Sequence, residues 1–148
     1  MEKIRVLIAD DQVITRSGLR VLLSATEELE IVGEASDGQE VIAMADAEQP
    51  DVILMDLRMP VINGIEATRR IHRASPHIGI LILTVFEDDA SVFPAIRAGA
   101  RGYLLKNSEQ EELLRKLAEL DHKDVMPHSK SFFEKVKQLF SGQEDSEE

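Results

Sequence analysis

Apolar residues gather in short runs at Ile4 to Ala9, Glu30 to Ala35, Val52 to Met55, Ile80 to Leu83 and Gly102 to Leu105, separated by segments of helical length. In those segments the period changes. Leu19, Leu22 and Leu23 share a helical face, as do Val41, Ile42 and Ala45, then Ile65, Thr68 and Ile71, then Phe93 and Ile96. Each stripe is expected to cover a sheet. Three of the strand runs are apolar at consecutive positions, the pattern of strands buried on both faces by helices. The expected fold is α/β, a doubly wound parallel sheet with right-handed crossovers.

The punctuation between the runs supports this reading. Asp37-Gly38 precedes the second helix and Asn63-Gly64 the third, Gly99 follows the fourth, and Ser108 with Glu111 reads as a capping box for the fifth. The fifth helix is expected to run to about Leu120. Pro94 falls inside the fourth helical segment, where it has no N–H to give and crowds the preceding turn. The fourth helix should therefore start late or bend, and a regular helix from Asp89 to Ala98 would contradict that.

The residues that end the runs carry the chemistry. In an open parallel sheet, ligands collect beyond the carboxyl ends of the strands. The first run ends in Asp10 and Asp11, the third in Asp56, the fourth in Thr84 and the fifth in Lys106. Close carboxylates repel by about 4 kcal/mol at 4 Å with an effective dielectric near 20, so the rim calls for positive charge. A hard divalent cation with oxygen ligands fits, Mg²⁺ above all, and Lys106 adds a second positive group. A carboxylate beside a cation, an ammonium and a hydroxyl is equipment for phosphoryl transfer, with Asp56 as the nucleophile. Taken singly, each residue has a plainer use: Asp10 and Asp11 as helix caps, Asp56 opening a turn, Thr84 as a strand former, Lys106 as a solvated charge. Their convergence on one rim favours the chemical reading.

Composition narrows the partners. A formal net charge of −11, from 28 acidic and 17 basic residues, argues against a nucleic-acid footprint, which needs clustered Lys and Arg. The absence of cysteine rules out disulfides and thiolate metal sites and fits a cytoplasmic protein. The first apolar run is cut short by Asp10 and Asp11, so it makes no export signal. Ile78 to Phe86 is too short to cross a bilayer, and no membrane contact is expected.

Val6-Leu7-Ile8-Ala9-Asp10-Asp11, Asp56-Leu57-Arg58-Met59-Pro60 with Asn63-Gly64, and Ala98-Gly99-Ala100-Arg101-Gly102-Tyr103-Leu104-Leu105-Lys106 together resemble the response-regulator receiver family of two-component systems, in its NarL/FixJ (LuxR-type) branch. The resemblance runs from about Lys3 to Leu120. It implies a five-stranded (βα)5 flavodoxin-like fold with strand order 2-1-3-4-5. It also implies that a sensor histidine kinase phosphorylates Asp56, and that Mg²⁺ (or Mn²⁺) is held by Asp10, Asp11, Asp56 and the Arg58 backbone carbonyl. Lys106 would contact the phosphoryl group and Thr84 would bind it as the switch hydroxyl. Tyr103 would be the aromatic that rotates with Thr84. The face built from the fourth helix, fifth strand and fifth helix would then change shape, with a homodimer through that face as one outcome. Family members often carry proline after the lysine, where this chain has Asn107, which leaves the isomer of that peptide open. The branch normally continues into a helix-turn-helix domain for transcription regulation, and no basic recognition helix follows Leu120.

Three other functions compete. A phosphatase of the haloacid-dehalogenase type wants an acid two residues beyond the nucleophile, where Arg58 stands. A flavin carrier wants hydroxyls and glycine in the first loop, which is acidic instead. An interaction module used without phosphorylation would not need the acidic rim. The expected organisation is a receiver domain over 1–120, a linker over 121–130, an amphipathic helix over 131–141 and a disordered acidic tail over 142–148. Phe132, Phe133, Val136, Leu139 and Phe140 lie at helical spacing, suited to docking on the domain's own surface, on a partner or on a second copy.

Overall fold

The computed structural model describes residues 3–84, 90–106 and 110–123, with residues 110, 111, 118 and 121–123 described by their backbone only. Five strands alternate with five helices: β1 Ile4–Ala9, α1 Val13–Ser24, β2 Leu29–Ala35, α2 Gly38–Glu48, β3 Val52–Asp56, α3 Gly64–Ala74, β4 Gly79–Thr84, α4 Val92–Ala98, β5 Gly102–Leu105 and α5 Gln110–Lys123. The strands form one parallel sheet in the order β2-β1-β3-β4-β5. Every residue of β3 and β4 is buried, as consecutive apolar positions require when helices lie on both faces.

Two cores flank the sheet. On one side Leu23 of α1 and Leu113, Leu114, Leu117 and Leu120 of α5 pack against Ile4, Val6, Ile8, Leu54 and Leu81. On the other, Val41 and Ala45 of α2, Ala67 and Ile71 of α3 and Ala95 of α4 pack against Leu7, Ile53, Met55, Ile80 and Ile82. The alternating orientation along each strand separates the two sets.

The helix starts follow the polar punctuation in two places. Asp37 caps α2 and Asn63 caps α3, each accepting a hydrogen bond from the backbone N–H three residues on, Glu40 and Glu66. Neither Asp10 nor Asp11 caps α1, whose first flanking residue is Gln12, without a side-chain cap. The proposed capping box of α5 lies outside the described residues. That helix continues three residues past Leu120, to Lys123.

α4 starts late, as Pro94 requires. Ser91 is its first flanking residue, so Pro94 lies in the first turn, where a missing N–H leaves no intrahelical bond unmade. The stripe expected on this helix is corrected. Phe93 and Ile96 do not cover the sheet: they are 73% and 38% exposed, and Ala95 and Ala98 face inward instead. The reason is a close approach to α3. Gly99 ends α4 with φ of 129°, and a Cβ there would lie 2.4 Å from Cγ of His72, so no side chain fits where α4 closes on α3.

Candidate functional site

β1 and β3 are adjacent and parallel with Ala9 opposite Met55, so the residues that follow, Asp10 and Asp56, emerge side by side at the carboxyl rim. Asp10 is fully buried, Asp56 is 6% exposed, and Asp11 turns outward. One carboxylate oxygen from each of Asp10, Asp11 and Asp56 lies within 4.8 Å of the others. Lys106, just past β5, reaches across the rim to place Nζ 2.8 Å from Oδ2 of Asp10 and 3.3 Å from Oδ2 of Asp56. Its backbone N–H donates to the Thr84 carbonyl at 2.7 Å, which fixes where the side chain departs.

Burial and the neighbouring Asp10 charge push the Asp56 carboxyl above the ordinary aspartate range, against the opposing pull of the Lys106 ammonium. Burial also opposes the charge on Lys106. The hydrogen bond to Asp10 and the charges of Asp56 and Asp10 outweigh it, holding the lysine above its usual value. The rim thus holds a carboxylate cluster with less positive charge than it needs. The donor set fits a hard cation, since among the described residues it offers three carboxylates on one open edge and no nitrogen or sulfur ligand.

Backbone packing holds Asp56 in place. α3 begins hard against the end of β3: the Gly64 N–H donates to the Leu57 carbonyl at 2.8 Å, and a Cβ on Gly64 would lie 2.2 Å from the Asp56 carbonyl oxygen. No side chain larger than hydrogen fits there. The Arg58 N–H lies 3.4 Å from Oδ1 of Asp56, and the Gln12 N–H donates to Oδ1 of Asp10 at 2.9 Å.

Asp10, Asp11, Asp56 and Lys106 are therefore brought together. Thr84 is buried at the end of β4, on the same rim and opposite Leu105, one position beyond the Asp56–Leu83 pair. Tyr103 lies earlier on β5, opposite Ile82, and is 42% exposed, so it stands apart from the acidic cluster. The peptide between Lys106 and Asn107 falls outside the described residues. The sequence reading missed Arg16, which donates to the Asp10 backbone carbonyl and pairs with Glu34 of β2 at 3.4 Å. Arg20 pairs with the same Glu34. The spacing of Arg16 and Arg20, one helical turn apart on α1, was the available signal.

The response regulator receiver domain model matches residues 6–118. A shorter match, to the chaperone protein DnaJ C-terminal region, spans 109–142 and so overlaps the first within α5. Among curated proteins, the transcriptional regulatory protein LiaR of Bacillus subtilis is 49% identical over 110 residues, covering 74% of this chain and 52% of that protein. The uncharacterized transcriptional regulatory protein YxjL of the same organism is 50% identical over 113 residues, covering 76% and 52%. The chain spans about half the length of these curated relatives. Among solved structures, the receiver domain of the putative response regulator NarL from Mycobacterium tuberculosis superposes with a TM-score of 0.78 at 31% identity, covering 82% of this chain and 98% of that one.

Proposed function

From the premise that the chain belongs to the response regulator receiver family, in its NarL/FixJ (LuxR-type) branch, we propose that it is a phosphorylation-controlled switch whose phosphoacceptor is Asp56. The observation that carries this reading is the gathering of the Asp10, Asp11 and Asp56 carboxylates within 4.8 Å, with the Lys106 ammonium bridging two of them.

An Asp56 oxygen attacks the phosphorus of a phosphohistidine on a sensor histidine kinase. The P–N bond breaks, the imidazole leaves, and an acyl phosphate remains on Asp56. Asp10, Asp11, Asp56 and the Arg58 carbonyl would hold Mg²⁺ (or Mn²⁺), which supplies neutralisation of the phosphoryl oxygens. Lys106, already placed at the rim, pairs with a phosphoryl oxygen, and the Thr84 hydroxyl accepts a place in the new hydrogen-bond set. Such chemistry is confined to gain and loss of phosphate by this one residue, so the protein is a signalling domain rather than a turnover enzyme.

The added charge favours whichever conformation draws Thr84 and Lys106 inward, and Tyr103 follows into the space vacated. The exposed Phe93, Ile96 and Tyr103 support α4 and β5 as the responding face and as a contact for a second copy. Control of transcription is the proposed output of the whole protein, by analogy with relatives bearing that name. The proposed location is the cytoplasm. Among the described residues no helix is long and apolar enough to cross a membrane.

Intact-mass measurement with Mg²⁺ and acetyl phosphate provides the test. One added phosphoryl group is expected, abolished by EDTA and absent from Asp56→Asn. A phosphate that persists in Asp56→Asn would overturn the assignment.

A further inference from the structure

Asp10 sits in the gap between two regular elements. β1 ends at Ala9, and α1 opens with the carbonyl of Gln12, which accepts from the Arg16 N–H at 3.1 Å. The Asp10 carbonyl falls between them, in a residue with no exposed surface, and a buried carbonyl needs a donor. Arg16 supplies it. Its guanidinium donates to this oxygen and, through Nε, pairs with Glu34 at 3.4 Å. Glu34 belongs to β2 and lies opposite Ile8. The Asp10 N–H donates to the Ala35 carbonyl of the same strand at 3.0 Å. β2 therefore holds both backbone groups of Asp10, one directly and one through Arg16.

The Asp10 carboxylate is held as well, by the Gln12 N–H on Oδ1 at 2.9 Å and by Lys106 on Oδ2 at 2.8 Å. Asp11 differs. It is exposed, and its place beside Asp10 and Asp56 depends on the backbone that leads into it. The carbonyl of Asp10 and the N–H and Cα of Asp11 lie in one peptide plane, so an oxygen fixed by Arg16 fixes the direction in which Asp11 leaves. We propose that Arg16, anchored by Glu34, is a positioning residue for the cation site: it orients the Asp10–Asp11 peptide so that the Asp10, Asp11 and Asp56 carboxylates converge on one dication. This rests on the cation site proposed above.

Arg20 pairs with Glu34 too, but its side chain is 52% exposed against 16% for Arg16, and an exposed pair is worth little. A planar guanidinium can serve carbonyl and carboxylate at once, whereas an ammonium on a flexible stem cannot fix both in one plane. Charge and positioning also make opposite demands. Positive charge near three carboxylates repels a dication, so if charge alone mattered, losing Arg16 would tighten cation binding. Losing a group that orients a ligand weakens it.

Mn²⁺ is the probe, titrated into the full chain at neutral pH with the free ion counted by electron paramagnetic resonance. Arg16→Met, which keeps the stem and removes the donors, is expected to raise the Mn²⁺ dissociation constant about tenfold. Arg16→Lys keeps the charge and one donor but not the fork, and is expected to fall between. Arg20→Met removes the same charge from the same carboxylate and should leave the constant within about twofold. In EDTA the Asp11 amide resonance should move in Arg16→Met and stay in place in Arg20→Met, a reading that needs neither metal nor phosphate. An unchanged or lowered constant in folded Arg16→Met overturns the proposal, as does an equal rise in Arg20→Met. Should Arg16→Met lose its fold by circular dichroism, Arg16→Lys carries the test, and a constant equal to that of the unchanged protein overturns it. Asp11→Asn separates the two layers. Mn²⁺ binding intact in Asp11→Asn would mean that the cation site is misplaced, and the role of Arg16 falls with it; binding lost there but unchanged in Arg16→Met would remove the role of Arg16 alone.

Discussion

Among the described residues, Val61 has the backbone conformation least suited to its side chain. It has φ of 70°, in the left-handed region that a β-branched side chain disfavours, and it forms the middle of a three-residue turn closed by the Ile62 N–H donating to the Pro60 carbonyl at 2.8 Å. The turn belongs to the loop that runs from Asp56 to the start of α3, so the strain is stored next to the proposed phosphoacceptor. Val61 is 72% exposed, and removing its side chain costs little burial. Val61→Gly is therefore expected to raise stability by roughly 0.5 to 1 kcal/mol, the relief of strain exceeding the extra freedom gained by the unfolded chain. A urea titration checks this, and an unchanged or lowered midpoint refutes it. Nothing in the sequence marks Val61 as strained, because the turn exists only once β3 and α3 are locked on either side of it. Asp56 and Lys106 were readable as residues, whereas the 3.3 Å between them follows from two strands that are not neighbours in the sheet.

Among the elements, α2 shows how local signals build a helix start. Asp37 caps the helix, and the Glu40 carboxylate accepts hydrogen bonds from both the backbone N–H and the hydroxyl of Ser36. The Ser36 hydroxyl and amide hold Glu40 below the usual glutamate range. A carboxylate with a depressed folded-state pKa stabilises the fold above its ordinary value and loses that contribution as pH falls through the depressed one. The expected result is an NMR titration of Glu40 with a midpoint below that of a free glutamate, shifted back toward it in Ser36→Ala. A midpoint that ignores Ser36→Ala would break the link. α4 is the contrasting element. Pro94 correctly announced a late start, yet the periodicity that joined Phe93 to Ile96 pointed the wrong face inward. Periodicity assumes that the larger apolar side chains seek the core. Here α4 ends at Gly99 against His72 of α3, with no room for a Cβ, and Ala95 and Ala98 take the inward positions.

For the whole molecule, the balance at the rim is the governing quantity. Among the described residues three carboxylates face one ammonium, in a chain with a net charge of −11, so a dication bound there should stabilise the native state. At ten times its dissociation constant, Mg²⁺ is expected to add roughly 1.4 kcal/mol. Asp56→Asn should be more stable than the unchanged protein in EDTA, because it removes a buried charge crowded by Asp10, and it should gain much less from Mg²⁺. The raised Asp56 carboxyl sets the sign with pH. The native state holds that proton more tightly than the unfolded chain, so stability falls as pH rises from the ordinary aspartate value through the raised one, and the substitution removes this slope. Denaturant titrations at several pH values, with and without Mg²⁺, test these statements, and equal Mg²⁺ gains in both proteins would place the cation elsewhere.

The sequence by itself determined the order and kind of the elements and the identity of the rim residues. Both follow from interactions between near neighbours and from the periods at which strands and helices bury apolar side chains. Only the tertiary structure decided which face of α4 is inward, that Arg16 braces the Asp10 carbonyl, and that Lys106 bridges Asp10 and Asp56. Those facts depend on distances between segments far apart in the chain, set by the packing of the whole sheet and the helices on its two faces.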